Sequence, residues 1–167
     1  AFLESVTAGI GPEGRWIHLG LTTSDVWDTA TSLQLVESAD LLDAEMANGR
    51  VAKNAKNYRL LSQAWTLAAE DAKAIPALQN AARLSEEGEL NLRLGNAHLN
   101  LGQFGECVTA IKAGIGKGGI KSPDNAQISL GMCLYNQGKY RDAIAAFRDA
   151  GKTRRSRKRS QQWIRVI

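Results

Sequence analysis

The sequence contains three copies of one unit, and this repetition constrains the fold more than any other feature. Leu61-Ser62, Leu94-Gly95 and Leu130-Gly131 mark the same position in the three copies, at offsets of 33 and 36 residues. Repeats of this length form supersecondary units that bury their apolar faces against each other. The sequence therefore predicts a linear array in which each unit covers the apolar face of the next.

Each copy is predicted to form two helices joined by a tight turn. In the third copy residues 136–139 supply the turn, because Gly138 can adopt the left-handed conformation that ends a helix at little cost. Small residues such as Gly95 and Gly131 in the first helix leave room for the second helix to approach. Large residues fill the remaining space, and we expect a ladder of core contacts from Leu61, Leu78, Leu94, Ile111, Leu130 and Phe147.

These spacings resemble the tetratricopeptide repeat (TPR), a helical hairpin of about 34 residues. The resemblance covers about residues 55–151, and residues 39–49 look like the second helix of a preceding repeat. It implies an all-α solenoid of about three and a half repeats. The segment from residue 153 onward is expected to form a capping helix, with Trp163, Ile164 and Ile167 on its apolar side.

The first helix of each pair is expected to line the concave wall of such a solenoid. Asparagine can bond both the N–H and the C=O of an extended peptide, and arginine can hold a carboxylate with two hydrogen bonds. We therefore predict that this wall binds a peptide or a protein; the alternative is a solvated wall with no ligand. The wall residues are Arg59, Gln63, Thr66, Arg93, Asn96, Asn100, Ile128, Met132, Tyr135 and Asn136.

The two-carboxylate clamp known in some members of the repeat family is not matched by this wall. The third repeat has Asn125 and Ser129 where the clamp would need cations. The resemblance therefore implies a protein-interaction module without naming its ligand.

Residues 1–37 do not follow the repeat frame. The stretch IHLGLTTSDVWDT, which begins at Ile17, closely resembles adenylosuccinate lyase of the fumarase and aspartase superfamily. In that family the segment holds phosphate and carboxylate groups of the substrate, roles that the resemblance assigns to His18, Thr22, Thr23, Ser24 and Asp25. The family's other histidine motif and its flexible serine loop have no counterpart, so the acid and base that elimination needs are missing. We expect no enzymatic activity and no cofactor.

The two resemblances together indicate a chimera, with a lyase-like fragment at residues 1–38 and the repeat array at residues 39–167. The lyase-derived helix is expected to replace the missing first helix of the leading repeat. Leu33, Val36, Leu41 and Leu42 would make that contact, and a poorly covered edge would be hidden by self-association into a homo-oligomer. The alternatives are residual nucleotide-binding or lyase activity, and a chimera that folds without binding any ligand.

The charges are unevenly distributed along the chain. It carries 21 Lys and Arg against 17 Asp and Glu, and seven of the cations follow the last acidic residue, Asp149. The five cations between Arg154 and Arg159 could neutralise phosphates of a nucleic acid. They spread around the helix, however, and do not form one face that could recognise bases in a groove. This distribution favours a capping role, and we do not expect nucleic acid as a partner.

Cys107 and Cys133 stand 26 residues apart in separate predicted helices, with no CxxC pair or Cys/His cluster. We therefore predict buried free thiols and no metal site. His98 takes an aromatic position at the contact between its two helices and is expected to pack there. No run approaches the roughly 18 apolar residues of a membrane span, and the first 20 residues lack a signal-peptide layout. A soluble chain is expected, and its compartment is left open.

Overall fold

The computed structural model describes residues 23–167, with side chains from residue 28 onward. Regular secondary structure in this range consists of helices. They are α1 (Thr23–Ala47), α2 (Ala55–Leu67), α3 (Asp71–Leu84), α4 (Glu89–Asn100), α5 (Phe104–Lys117), α6 (Pro123–Asn136), α7 (Tyr140–Ala150) and α8 (Arg157–Val166).

The helices form a linear array in which each one packs against the next along the chain. Three hairpins, α2 with α3, α4 with α5 and α6 with α7, are the three predicted repeats. The long helix α1 precedes them and α8 follows them. The predicted all-α solenoid is confirmed. Among the described helices, none is long and apolar enough to cross a membrane.

The turns inside the hairpins use one backbone conformation. Gly102 and Gly138 have φ angles of +71° and +75°, in the left-handed region that ends each first helix. Ala69 stands at the same place in the first hairpin and adopts φ +59°, although it carries a side chain. The predicted turn at Gly138 is therefore confirmed, the second hairpin makes the same turn at Gly102, and the first makes it without a glycine.

The predicted ladder of large side chains forms the core. Every member of it is buried, in clusters that run from one hairpin into the next. The small residues act as expected, since a Cβ on Gly95 would collide with the side chain of Ile111. Shared burial of this kind makes the stability of each hairpin depend on its neighbours.

Helix α8 closes the described end of the array. The ring of Trp163 stacks on Phe147, with centroids 5.4 Å apart and planes 5° from parallel. The helix begins at Arg157, later than the predicted start near residue 153. The segment before it is held in turns, because the hydroxyls of Thr153 and Ser156 donate hydrogen bonds to the Asp124 carboxylate.

Helix α1 is continuous over 25 residues and passes through the predicted junction at residues 38 and 39. The expectation that the lyase-derived segment replaces a first helix is therefore wrong, because no glycine or proline interrupts α1 and lets the chain fold back. Val36 and Leu42 do pack against the core, whereas Leu33 and Leu41 are 61% and 64% exposed.

Cys107 and Cys133 form a disulfide bond, so the prediction of free thiols is wrong. Both residues are fully buried, and their Cα atoms lie 6.1 Å apart, within the usual range for a disulfide. The pairing arises because α5 packs directly against α6 of the following repeat. A separation of 26 residues along the chain conceals that proximity.

Candidate functional site

An open groove lies between the first helices of two neighbouring repeats, α2 and α4. It has a volume of about 230 Å³. The predicted wall residues Gln63 and Thr66 line it from α2, and Arg93, Asn96 and Asn100 line it from α4. The structure thus brings together five side chains that are separated by up to 37 residues in the sequence.

The floor and rim of the groove include residues that the sequence analysis missed. Leu78 and Ala97 give it an apolar base, whereas Ser62 and Asp71 add polar groups. These residues come from three helices, and no short-range pattern links them. The repeat frame could have indicated Ala97, which lies one helical turn from both Arg93 and Asn100 on the same face of α4.

The charges of the groove are separated between its two ends. Asn100 Nδ2 donates a hydrogen bond of 2.8 Å to Asp71 Oδ2, which fixes that amide and occupies part of the carboxylate. Arg93 is exposed, and its guanidinium makes no ion pair with the described side chains. A ligand carboxylate would therefore be favoured near Arg93 and disfavoured near Asp71.

The other predicted wall residues do not line this groove. Arg59 is exposed on α2, and Asn136 is exposed at the end of α6, where its amide donates to the Met132 carbonyl. Met132 packs against the core. Tyr135 packs between Tyr140 and Trp163. The prediction that Ile128 lies on an open wall is wrong, because it is buried among hydrophobic residues of the later repeats.

His98 is buried, and its Nδ1 lies 2.6 Å from Gln103 Oε1, which confirms the predicted packing role. The residues assigned by the lyase resemblance give no comparable geometry. His18 and Thr22 lie outside the described residues. Thr23, Ser24 and Asp25 are described only as backbone in the first turn of α1.

Comparison with known sequences finds a short, strong match to one enzyme. Adenylosuccinate lyase of Synechocystis sp. is 62% identical over 42 residues, which cover 25% of this chain and 10% of the lyase. The Bacillus subtilis lyase is 38% identical over 61 residues, 35% of this chain and 14% of the enzyme. The chain thus spans about a tenth of the length of the curated relatives it matches. No family model matches the chain.

Comparison with solved structures finds helical repeat proteins over most of the chain. A crystal structure of MamA superposes with a TM-score of 0.68 at 16% identity, covering 87% of this chain and 82% of that one. YrrB, described as a TPR protein with an unusual peptide-binding site, superposes with a TM-score of 0.66 at 18% identity, covering 82% and 69%. These similarities show that the fold is of the TPR type.

Proposed function

We propose that the chain is a non-enzymatic interaction module that binds a peptide or protein segment in the groove between α2 and α4. The observation that carries the proposal is the convergence of Gln63, Arg93, Asn96 and Asn100 on that groove. Its amide groups suit the backbone of an extended segment, and its apolar base suits one small side chain. The peptide-binding site described for YrrB, a protein of similar fold, supports the same reading.

A random peptide display library, panned against the full chain, tests this proposal. Enriched peptides are then titrated against Arg93→Ala and Arg59→Ala variants by fluorescence polarisation. Arg59 is a matched control, because it is an exposed arginine on a first helix, α2, and does not line the groove. We expect Arg93→Ala to weaken binding at least tenfold and Arg59→Ala to leave it unchanged. Equal effects of the two substitutions, or no enrichment at all, would contradict the proposal.

The lyase-like segment is proposed to be a fragment joined to the array near residues 38 and 39, without catalytic function. Its support is that the match covers only about a tenth of the lyase. Titration of the full chain with adenylosuccinate is expected to show no binding. Binding that is lost on His18→Ala substitution would restore the enzymatic alternative.

A second candidate function is self-association through α1. It is favoured by Leu33 and Leu41, whose exposed side chains on α1 lie close in the sequence to half-buried Val36 and Leu42. Sedimentation of the full chain over a range of concentrations is the direct test. A mass that stays at one chain throughout would exclude this role.

A further inference from the structure

The two ends of the described array carry opposite charge. Helix α1 has six acidic residues and no Lys or Arg. Residues 152–167 have seven cations and no acidic residue. Because α1 packs on α2 and α8 packs on α7, these charges lie at opposite ends of a linear array.

Few of these charges are neutralised within the chain. Ion pairs among the described side chains are limited to Glu45 with Arg50 and Asp149 with Lys152. The acidic side chains of Asp40 and Asp43 are exposed on α1, and Lys158 and Arg165 are exposed on α8. Both ends are therefore available to an oppositely charged surface.

At the acidic end, one apolar position that is buried in a complete repeat is exposed. Gly49 and Gly118 both have φ +75° and end equivalent helices, so Leu41 corresponds to Ala110. Ala110 is 7% exposed and clusters with Leu94 and Ala97 of α4, the first helix of its own hairpin. Leu41 is 64% exposed, because the described chain gives α1 no such first helix.

Helix α2 adds two more exposed leucines at this end of the array, Leu60 and Leu67. In the frame of the repeats, Leu60 and Leu67 correspond to Arg93 and Asn100, which line the groove facing the preceding first helix. Leu60 and Leu67 are 54% and 68% exposed. A helix placed against Leu41 and these two leucines would complete a fourth hairpin.

The apolar residues of helix α8 have the spacing of a first helix of the repeat. Its inward residues, Ser160, Trp163, Ile164 and Ile167, repeat the spacing of Gln127, Leu130, Gly131 and Leu134 in the first helix α6. Within the described residues α8 has no second helix to pair with, and Trp163, Ile164 and Ile167 remain only partly buried. Among the described helices, α1 is thus a second helix with no first helix beside it, and α8 has the spacing of a first helix with no second helix beside it.

We propose that two copies of this chain join head to tail, with α8 of one copy packing against α1 and α2 of the next to complete a hairpin. The inference rests on the proposed self-association and specifies the surface that α1 meets. Basic residues of α8 would lie beside acidic residues of α1, while the apolar side of α8 covers Leu41, Leu60 and Leu67. Such an interface uses two different surfaces, so it leaves each dimer with two free ends and adds further copies.

Sedimentation of the full chain in low and high salt, with two charge-reversed variants, tests the arrangement. One variant carries Asp40→Lys and Asp43→Lys, and the other carries Lys158→Glu and Arg165→Glu. The control carries Lys112→Glu and Lys121→Glu, which reverse two exposed cations away from both ends. Circular dichroism confirms that each variant keeps its helix content.

We expect the unmodified chain to exceed the mass of two copies as its concentration rises in about 50 mM salt, and to associate at least tenfold more weakly in about 0.5 M salt. Each end variant alone should associate at least tenfold more weakly, and the control should not. An equimolar mixture of the two end variants should recover association, because it contains one unaltered pair of ends and one pair in which the charges of both ends are reversed.

Two results would overturn the head-to-tail arrangement in distinguishable ways. A mass that closes at two copies and survives both salt and the Lys158/Arg165 reversal would indicate symmetric pairing through α1, leaving the proposed self-association intact. A chain that stays monomeric at every concentration would contradict self-association itself. In that case, salt-sensitive binding of the full chain to a DNA duplex would indicate that the basic end binds nucleic acid instead.

Discussion

The ring of Phe147 lies directly against the backbone of Gly131, so that a Cβ at position 131 would stand 2.6 Å from the nearest ring atom. The two residues belong to the two helices of one hairpin, α6 and α7, and Phe147 is fully buried. The phenylalanine also stacks on Trp163 of α8. Because Gly131 has no side chain, α7 can pack closely against α6, and this packing also fixes the position of the ring on which α8 stacks.

Replacement of Gly131 by alanine is expected to destabilise the protein by about 1 to 3 kcal/mol, because the added methyl group overpacks a filled core. Urea unfolding of the variant measures this loss. Gly116→Ala is the control, since Gly116 is an exposed helical glycine whose Cβ would meet no atom within 4 Å. That substitution should raise stability by about 0.5 kcal/mol through helix propensity. Equal effects at the two positions would contradict the packing argument.

Replacement of Ala69 by glycine is expected to stabilise the first hairpin by about 0.5 to 1 kcal/mol. The left-handed conformation costs an alanine about 1 to 2 kcal/mol, and the greater chain entropy of unfolded glycine offsets part of the gain. Gly138→Ala, at the equivalent turn with φ +75°, should instead destabilise by about 1 kcal/mol. Thermal or urea unfolding of both variants gives the comparison, and the same sign for both would refute the equivalence of the turns.

Reduction of the Cys107–Cys133 disulfide is expected to lower the free energy of unfolding by ~3 kcal/mol, since the bond closes a loop of 26 residues in the unfolded chain. Urea unfolding with and without a reductant measures the difference. A variant with both Cys107→Ala and Cys133→Ala should be insensitive to the reductant. Two free thiols found by mass spectrometry of alkylated, unreduced protein would show that the bond does not form.

Acidification is expected to destabilise the contact between α6 and the segment before α8. The Ser156 hydroxyl donates to the Asp124 carboxylate and lowers its pKa below the ordinary value of 3.8, while burial acts in the opposite direction. Because the pKa is lower in the folded state, the stabilisation is present above about pH 4 and is lost as the pH falls through the folded pKa. The midpoint of urea unfolding between pH 7 and pH 3 measures this loss.

Asp124→Asn should reduce that pH dependence, because asparagine does not titrate. Glu106→Gln is a suitable control, since Glu106 is an exposed acid on α5 that makes no ion pair with a described side chain. A pH profile altered equally by both substitutions would mean that Asp124 has no special contribution.

The repeat frame was informative where contacts recur at fixed intervals. It predicted the buried ladder from Leu61 to Phe147 and the left-handed turn at Gly138, because both depend on helical periods within one hairpin. It misplaced Ile128, which lies on the predicted wall by spacing but is buried by later helices. Periodicity gives the face of a helix, whereas the depth of burial depends on what packs against it.

The sequence by itself determined the helical hairpins, their order and the large side chains that pack between them, since these follow from spacings within about 36 residues. Only the tertiary structure decided that Cys107 meets Cys133, that Gln63 and Arg93 share one groove, and that α1 continues without a break past residue 38 and leaves Leu41 exposed. The physical reason is that these outcomes depend on how neighbouring repeats are placed in space. That placement results from side-chain packing between helices and leaves no regular interval in the chain.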